Sequence, residues 1–159
     1  MTALRWIANV LGWPAIQLAV SFLILRIPDS LFARDTWLTI PRSWEDGGRL
    51  YRRLFFLQRW KRLLPDGASW LGGFAKKRFS RRDIEYINRF LLETRRAEWA
   101  HWAMLCCLPA FFLWNPWWAR LVMTAYAAVA NLPCILVQRY NRIVLSRMAG
   151  RQRHAVVNR

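Results

Sequence analysis

Three stretches of this chain carry no Asp, Glu, Lys or Arg, although the chain as a whole is strongly basic. They are residues 6–25, residues 99–119 (where His101 is the one imidazole) and residues 121–138. At about 1.5 Å per residue, 20 helical residues cross the roughly 30 Å of bilayer hydrocarbon. Outside the gaps the charge is dense. All nine acids and 17 of the 25 Lys and Arg fall in residues 26–98, and six more basic residues lie from Arg139 onward. The formal net charge is +16 in 159 residues of which 55% are hydrophobic. A disordered basic tail is poor in apolar residues, so that class is excluded. Three cysteines, two of them adjacent (Cys106, Cys107) and all in apolar runs, exclude a disulfide scaffold. A nucleic-acid binder or a membrane protein remains. No zinc, helix-turn-helix or aromatic-RNP pattern accompanies the charge, so no nucleic-acid partner is expected and membrane lipids are.

The expected fold is an all-α integral membrane protein, one membrane domain over residues 1–159. Its membrane segments are about 6–25, 99–115 and 117–138, the last two a helical hairpin. Asn115-Pro116 divides that pair, with Trp114, Trp117 and Trp118 around it. Proline disfavours helix at the preceding residue and Trp favours the headgroup level, so a tight turn at a membrane face is expected there. The basic segment 26–98 and the basic tail 139–159 flank the open side of the hairpin. By the positive-inside rule both are cytoplasmic, with the Asn115 turn and the N-terminus outside. Residues 6–25 have one basic residue before them and no small-x-small site after, which favours a retained anchor over a cleaved signal. Gly12-Trp13-Pro14 is a place where that segment can kink or re-enter.

Within the basic segment, residues 49–64 set Leu50, Leu54, Leu57, Trp60 and Leu64 on one helical face among arginines. That pattern predicts a basic amphipathic helix lying in the interface, the alternative being a helix packed on a core. Gly72-Gly73 before Lys76-Lys77-Arg78 is a weak anion cradle without P-loop spacing. Ser80 to Asp83 is a capping box from which a helix is expected to run unbroken into the second span.

Polar groups inside hydrocarbon need a partner or a purpose. His101 lies 14 residues before Asn115, so it sits about 21 Å in from the turn. Glu98 is one turn earlier on the same face. Reflecting one arm of the hairpin onto the other about the turn brings His101 level with Asn131, and Glu93 level with Gln138. The expected centre is therefore Glu98, His101 and Asn131, with His101 as proton acceptor and Glu98 orienting it and supporting its cationic form. The bland alternative is that these groups only hydrogen-bond the hairpin together. No metal is expected. Glu-x-x-His is half of a di-iron motif whose second copy is missing. A thiol in an apolar span such as Cys134 is inert.

In order along the chain stand Arg26-Ile27-Pro28-Asp29, Trp60-Lys61, Pro65-Asp66-Gly67, Glu93-Thr94-Arg95-Arg96-Ala97-Glu98-x-x-His101, Asn131-x-Pro133 and Gln138-Arg139-Tyr140-Asn141-Arg142. This series, over residues 26 to 148, resembles the glycosyl-4,4′-diaponeurosporenoate acyltransferase family, small bacterial membrane proteins of carotenoid glycolipid synthesis. It departs at Ile143, where proline is expected after the last motif. The resemblance implies an enzyme of the bacterial inner membrane that moves a fatty acyl group to a sugar hydroxyl of a lipid-linked glycoside. It implies no cofactor, with acyl-CoA as the expected co-substrate. The implied substrate-binding residues are Glu93, Arg95, Arg96, Gln138, Arg139, Tyr140, Asn141, Arg142, Trp60, Lys61 and Asp66, the arginines meeting the donor phosphates. The rival classes are a non-catalytic lipid-binding or scaffolding subunit and, ranked last, a lipid methyltransferase, for which no glycine-rich nucleotide loop is present. The sequence sets no oligomeric state.

Overall fold

A computed structural model describes residues 2–53, 55–60 and 84–157, and among these every regular element is helical. The α-helices are α1 (Ala3–Arg26), α2 (Arg49–Arg53), α3 (Leu57–Trp60), α4 (Ile84–Cys106) and α5 (Trp117–Val157). Tight 3₁₀ turns occupy Asp29–Leu31, Ser43–Gly48 and Leu108–Leu113.

The apolar run after Thr2 forms one helix straight through Gly12-Trp13-Pro14, with neither break nor re-entry. It stops at Arg26 because Ile27 precedes Pro28 and takes extended angles, φ −73° and ψ 133°. Gly12 lets the first helix approach the turn region. A Cβ there would lie 2.9 Å from the Phe111 ring, on which Trp13 stacks at 4.7 Å between centroids. Two helices are long and apolar enough to cross a membrane, α1 and residues Trp117–Arg151 of α5. Large apolar side chains stand exposed on both: Leu4, Ile7, Leu11 and Leu18 on α1, Leu121, Val122 and Val129 on α5. Water-soluble monomers rarely leave so much contiguous apolar surface open.

The third expected segment, 99–115, has a different build. Helix α4 carries charge up to Glu98 and ends at Cys106. Pro109 cannot donate to the helix ladder, and the chain tightens into the Leu108–Leu113 turn before Asn115. Helix α4 has 23 residues, but only its last third is uncharged, so by composition it is not among the described helices apolar enough to cross a membrane. Helix α5, in contrast, does not exit near residue 143. It continues for 41 residues, about 60 Å, through Pro133 and past Ile143, which keeps the N–H that a proline lacks. Ile143 also packs with Tyr51, Leu57, Val137 and Tyr140.

Part of the segment expected as an interfacial helix packs into that cluster. Residues 49–60 form two short helices, α2 and α3, with a bend at Phe55 and Phe56, whose φ is +45°. The bend lets Tyr51 and Leu57, both fully buried, face α5 together. Core packing thus sets the course of residues 49–57. Residues 61–64, the glycine pair and the Ser80 cap lie outside the described residues.

Helices α4 and α5 form the antiparallel hairpin, and α1 is tied to both of its ends. Near one end the amides of Asn9 and Asn115 exchange two hydrogen bonds of 2.8 Å, and Trp114 Nε1 donates to Asn9 Oδ1 at 2.9 Å. At the other, Asp29 just beyond α1 accepts from Arg89 and Arg96 of α4. The first helix therefore runs antiparallel to α4, with its start beside the Asn115 turn.

Candidate functional site

His101 and Asn131 meet as the reflected hairpin requires. His101 Nδ1 lies 3.0 Å from Asn131 Oδ1. The orientation of the Asn131 amide is fixed, because its Nδ2 donates to the carbonyl of Ala127 one turn back at 2.9 Å. With oxygen facing the ring, Nδ1 must carry the proton, and Nε2 is left with its lone pair. Asn131 is 1% exposed, whereas His101 is only partly buried and remains reachable. A neutral imidazole with a free basic nitrogen, held by a buried amide, can accept a proton from a hydroxyl.

Glu98 goes elsewhere. Its carboxylate, fully buried, accepts from Arg139 Nη1 at 2.8 Å and from Arg142 Nη2 at 2.5 Å, with Trp102 Nε1 at 3.4 Å. Its described hydrogen bonds are all with these three residues, and His101 is not among them. The physical reason is the lean of helical side chains toward their own N-terminus. In an antiparallel pair the Glu98 side chain leans toward the charged end and the arginines of α5 lean toward the turn, so they converge across several residues of register. The same lean separates Glu93 from Gln138. Glu93 instead pairs with Arg96 at 2.8 Å and Arg89 at 2.9 Å.

The arginines expected at an open mouth are buried and matched. Arg95 binds Asp35 at 2.7 Å, Arg96 binds Glu93 and Asp29, and Arg139 binds Glu45 as well as Glu98. Arg142, 1% exposed, binds Glu98, and its Nε lies 3.8 Å from Asp35. Asp35, Glu45 and Glu98 thus share one network with Arg95, Arg139 and Arg142, three charges of each sign. Buried charges are tolerated when paired in this way.

Asp35 and Glu45 were not legible as site residues, since they lie in a turn-rich stretch without periodicity. The one available signal is that acids in so basic a segment should each find an arginine. Glu45 is 1% exposed and also accepts from the Tyr51 hydroxyl and the Arg42 backbone N–H. Burial alone pushes its carboxyl up, but hydrogen bonds from Arg139, Tyr51 and Arg42 outweigh that and hold it below the usual range. Arg139 Nη1 and Nη2 also donate to the carbonyls of Leu38 and Ile40, at 2.9 and 3.1 Å, which straps residues 36–41 onto α5.

Tyr140 is a packing residue, its ring 6.4 Å from that of Tyr51, and Asn141 is half-buried. Gln138 is buried on the Asn131 face, and its Oε1 has no partner among the described residues. The Trp60 side chain, Lys61 and Asp66 lie outside the described residues. Among those described, no three His, Cys, Asp or Glu side chains converge as metal ligands.

The sequence model of the glycosyl-4,4′-diaponeurosporenoate acyltransferase family matches residues 30–151. A glycosyl-4,4′-diaponeurosporenoate acyltransferase of Staphylococcus haemolyticus (strain JCSC1435) is 37% identical over 132 residues, 82% of this chain and 76% of its own. One of Staphylococcus aureus (strain MRSA252) is 30% identical over 138 residues, 86% of this chain and 82% of its own. No solved structure matches the chain.

Proposed function

Since the chain belongs to the glycosyl-4,4′-diaponeurosporenoate acyltransferase family, we propose that it transfers a fatty acyl group to a sugar hydroxyl of a lipid-linked glycoside, with His101 as the base. The observation that carries this is the His101–Asn131 pair, whose fixed amide leaves Nε2 free to take a proton. A glycosylated carotenoid is the acceptor suggested by the relatives' names.

In this reading the transfer is direct. His101 Nε2 removes the proton of the sugar hydroxyl, whose oxygen attacks the thioester carbonyl carbon of an acyl-CoA. The new C–O bond forms as the C–S bond breaks, and the leaving thiolate recovers the proton from the imidazolium. Asn131 orients the ring through Oδ1, and its second N–H is the donor for the developing oxyanion. Glu98 holds Arg139 and Arg142 in place. Because Arg95, Arg96, Arg139 and Arg142 already have carboxylate partners, the donor phosphates meet exposed Arg52, Arg53 and Arg147 instead. Both acyl chains stay in lipid, and the charged end of the hairpin faces the cytoplasm of a bacterial cell, where acyl-CoA is made.

The test is turnover by the purified chain given acyl-CoA and a lipid-linked glycoside. The wild type forms the ester, and His101→Ala, inserted and helical, forms none. Normal turnover by that variant removes His101 from the chemistry. Absence of ester from the wild type would favour a non-catalytic binding subunit.

A further inference from the structure

Three polar atoms of α5 are buried without a partner among the described residues: Gln138 Oε1, Arg142 Nε and Arg142 Nη1. Gln138 is 9% exposed and Arg142 1%. A buried group left in this state costs about 1–3 kcal/mol, so native proteins keep few of them without water or a ligand. The two residues are four apart and share one helix face. Asp35 stands beside Arg142, its Oδ1 3.8 Å from Arg142 Nε, too far for a hydrogen bond.

We infer that Gln138 and Arg142, with Asp35 beside Arg142, form a subsite that holds the hydroxyls of the acceptor's sugar. The inference rests on the acyltransferase reading above and deepens it. Its basis is the sign of the open valences. Arg142 offers donors, while Gln138 and Asp35 offer acceptors. A phosphate only accepts; it would leave Gln138 Oε1 unsatisfied and add charge to a network that already has three of each sign. An acyl chain satisfies nothing. A vicinal pair of hydroxyls donates and accepts at once and matches all of these atoms. Position agrees with chemistry. Gln138 lies two turns from Asn131, about 10 Å along the axis, and both side chains lean toward the N-terminal end of α5. A sugar held there presents its free side to His101.

Ligand binding stabilises a folded protein in proportion to occupancy, so thermal unfolding reads the subsite without needing turnover. The full chain, in a phosphocholine detergent, is melted with octyl β-D-glucoside or with octyl phosphate, each below its micellar concentration. Octyl glucoside raises the midpoint of the wild type and of His101→Ala; octyl phosphate does not. Gln138→Leu, of similar volume and severing no ion pair, melts no lower than the wild type without ligand and weakens glucoside binding at least tenfold. A Gln138→Leu protein stabilised as strongly as the wild type overturns the assignment. So does a wild type that responds to octyl phosphate in place of the glucoside, or to neither. Because binding is read in His101→Ala as well, failure of the subsite and failure of the catalytic base are told apart.

Discussion

Glu45 Oε1 lies 2.6 Å from Arg139 Nε, a contact between residues 94 positions apart. It fastens the turn-rich stretch after α1 to the last helix, at the point where Arg139 also grips Glu98. Removing one partner of a buried ion pair costs about 3–5 kcal/mol where the other charge is stranded, and less here because Arg139 keeps Glu98. Glu45→Ala should therefore lower the unfolding midpoint of the purified protein by many degrees, while Asp46→Asn, at an exposed neighbour whose left-handed backbone asparagine also tolerates, changes it little. Equal midpoints for the two would show that Arg139 does not need Glu45.

The same carboxylate predicts an acid limb of stability. A carboxyl whose folded pKa is depressed contributes stability above its unfolded pKa, and that contribution fades as the pH falls through the folded value. Glu45 is held below its ordinary 4.5. Asp29 is held down chiefly by its hydrogen bond from Arg96, with Arg89 adding to it. Unfolding midpoints should be level near neutrality and drop from about pH 4.5 downward. In Glu45→Gln that drop should be shallower.

The base should respond to the charge of its orienting partner. Asn131→Asp places a carboxylate against His101 Nδ1, which favours the protonated ring. The acid limb of the rate profile should then move to higher pH than in the wild type. Asn131→Ala should instead lower the rate about a hundredfold at every pH, the scale of general base catalysis. An unmoved limb in Asn131→Asp would detach the amide from the chemistry.

Two glycines should answer alanine in opposite directions. Gly48 has φ +87°, and a Cβ there would lie 3.3 Å from the Tyr140 ring and 3.7 Å from Ile143. Gly48→Ala should destabilise by about 1–3 kcal/mol through the backbone alone. Gly150 lies in α5 with nothing within 4 Å of its Cβ position, so Gly150→Ala should stabilise by about 0.5–1 kcal/mol. Paired chemical denaturation curves decide both.

Orientation is testable with an impermeant thiol reagent on cells, after Cys106, Cys107 and Cys134 are replaced by serine. A cysteine at Leu113, 85% exposed in the turn, should label from outside. One at Arg151 should label only once the cells are opened. The reverse pattern would invert the assignment.

The sequence by itself determined what short-range physics controls. Uncharged runs set the two long apolar helices, Pro28 and Pro109 set helix ends, and 3.6-residue periodicity carried across the turn brought His101 level with Asn131. Family membership was legible in the spacing of the motifs. What the sequence did not reveal depends on side-chain reach and long-range partners. Glu98 lies one turn from His101 in the chain, yet its charge is drawn to Arg139 and Arg142 because antiparallel helices lean their side chains toward each other. Asp35 and Glu45, in a segment without periodicity, become visible only when folding brings them to α5. The bend at Phe56 was decided likewise, by the burial of Tyr51 and Leu57 against a helix some 80 residues away in sequence. Local pattern fixes which helices form. Only the tertiary structure decides which charge each buried arginine meets.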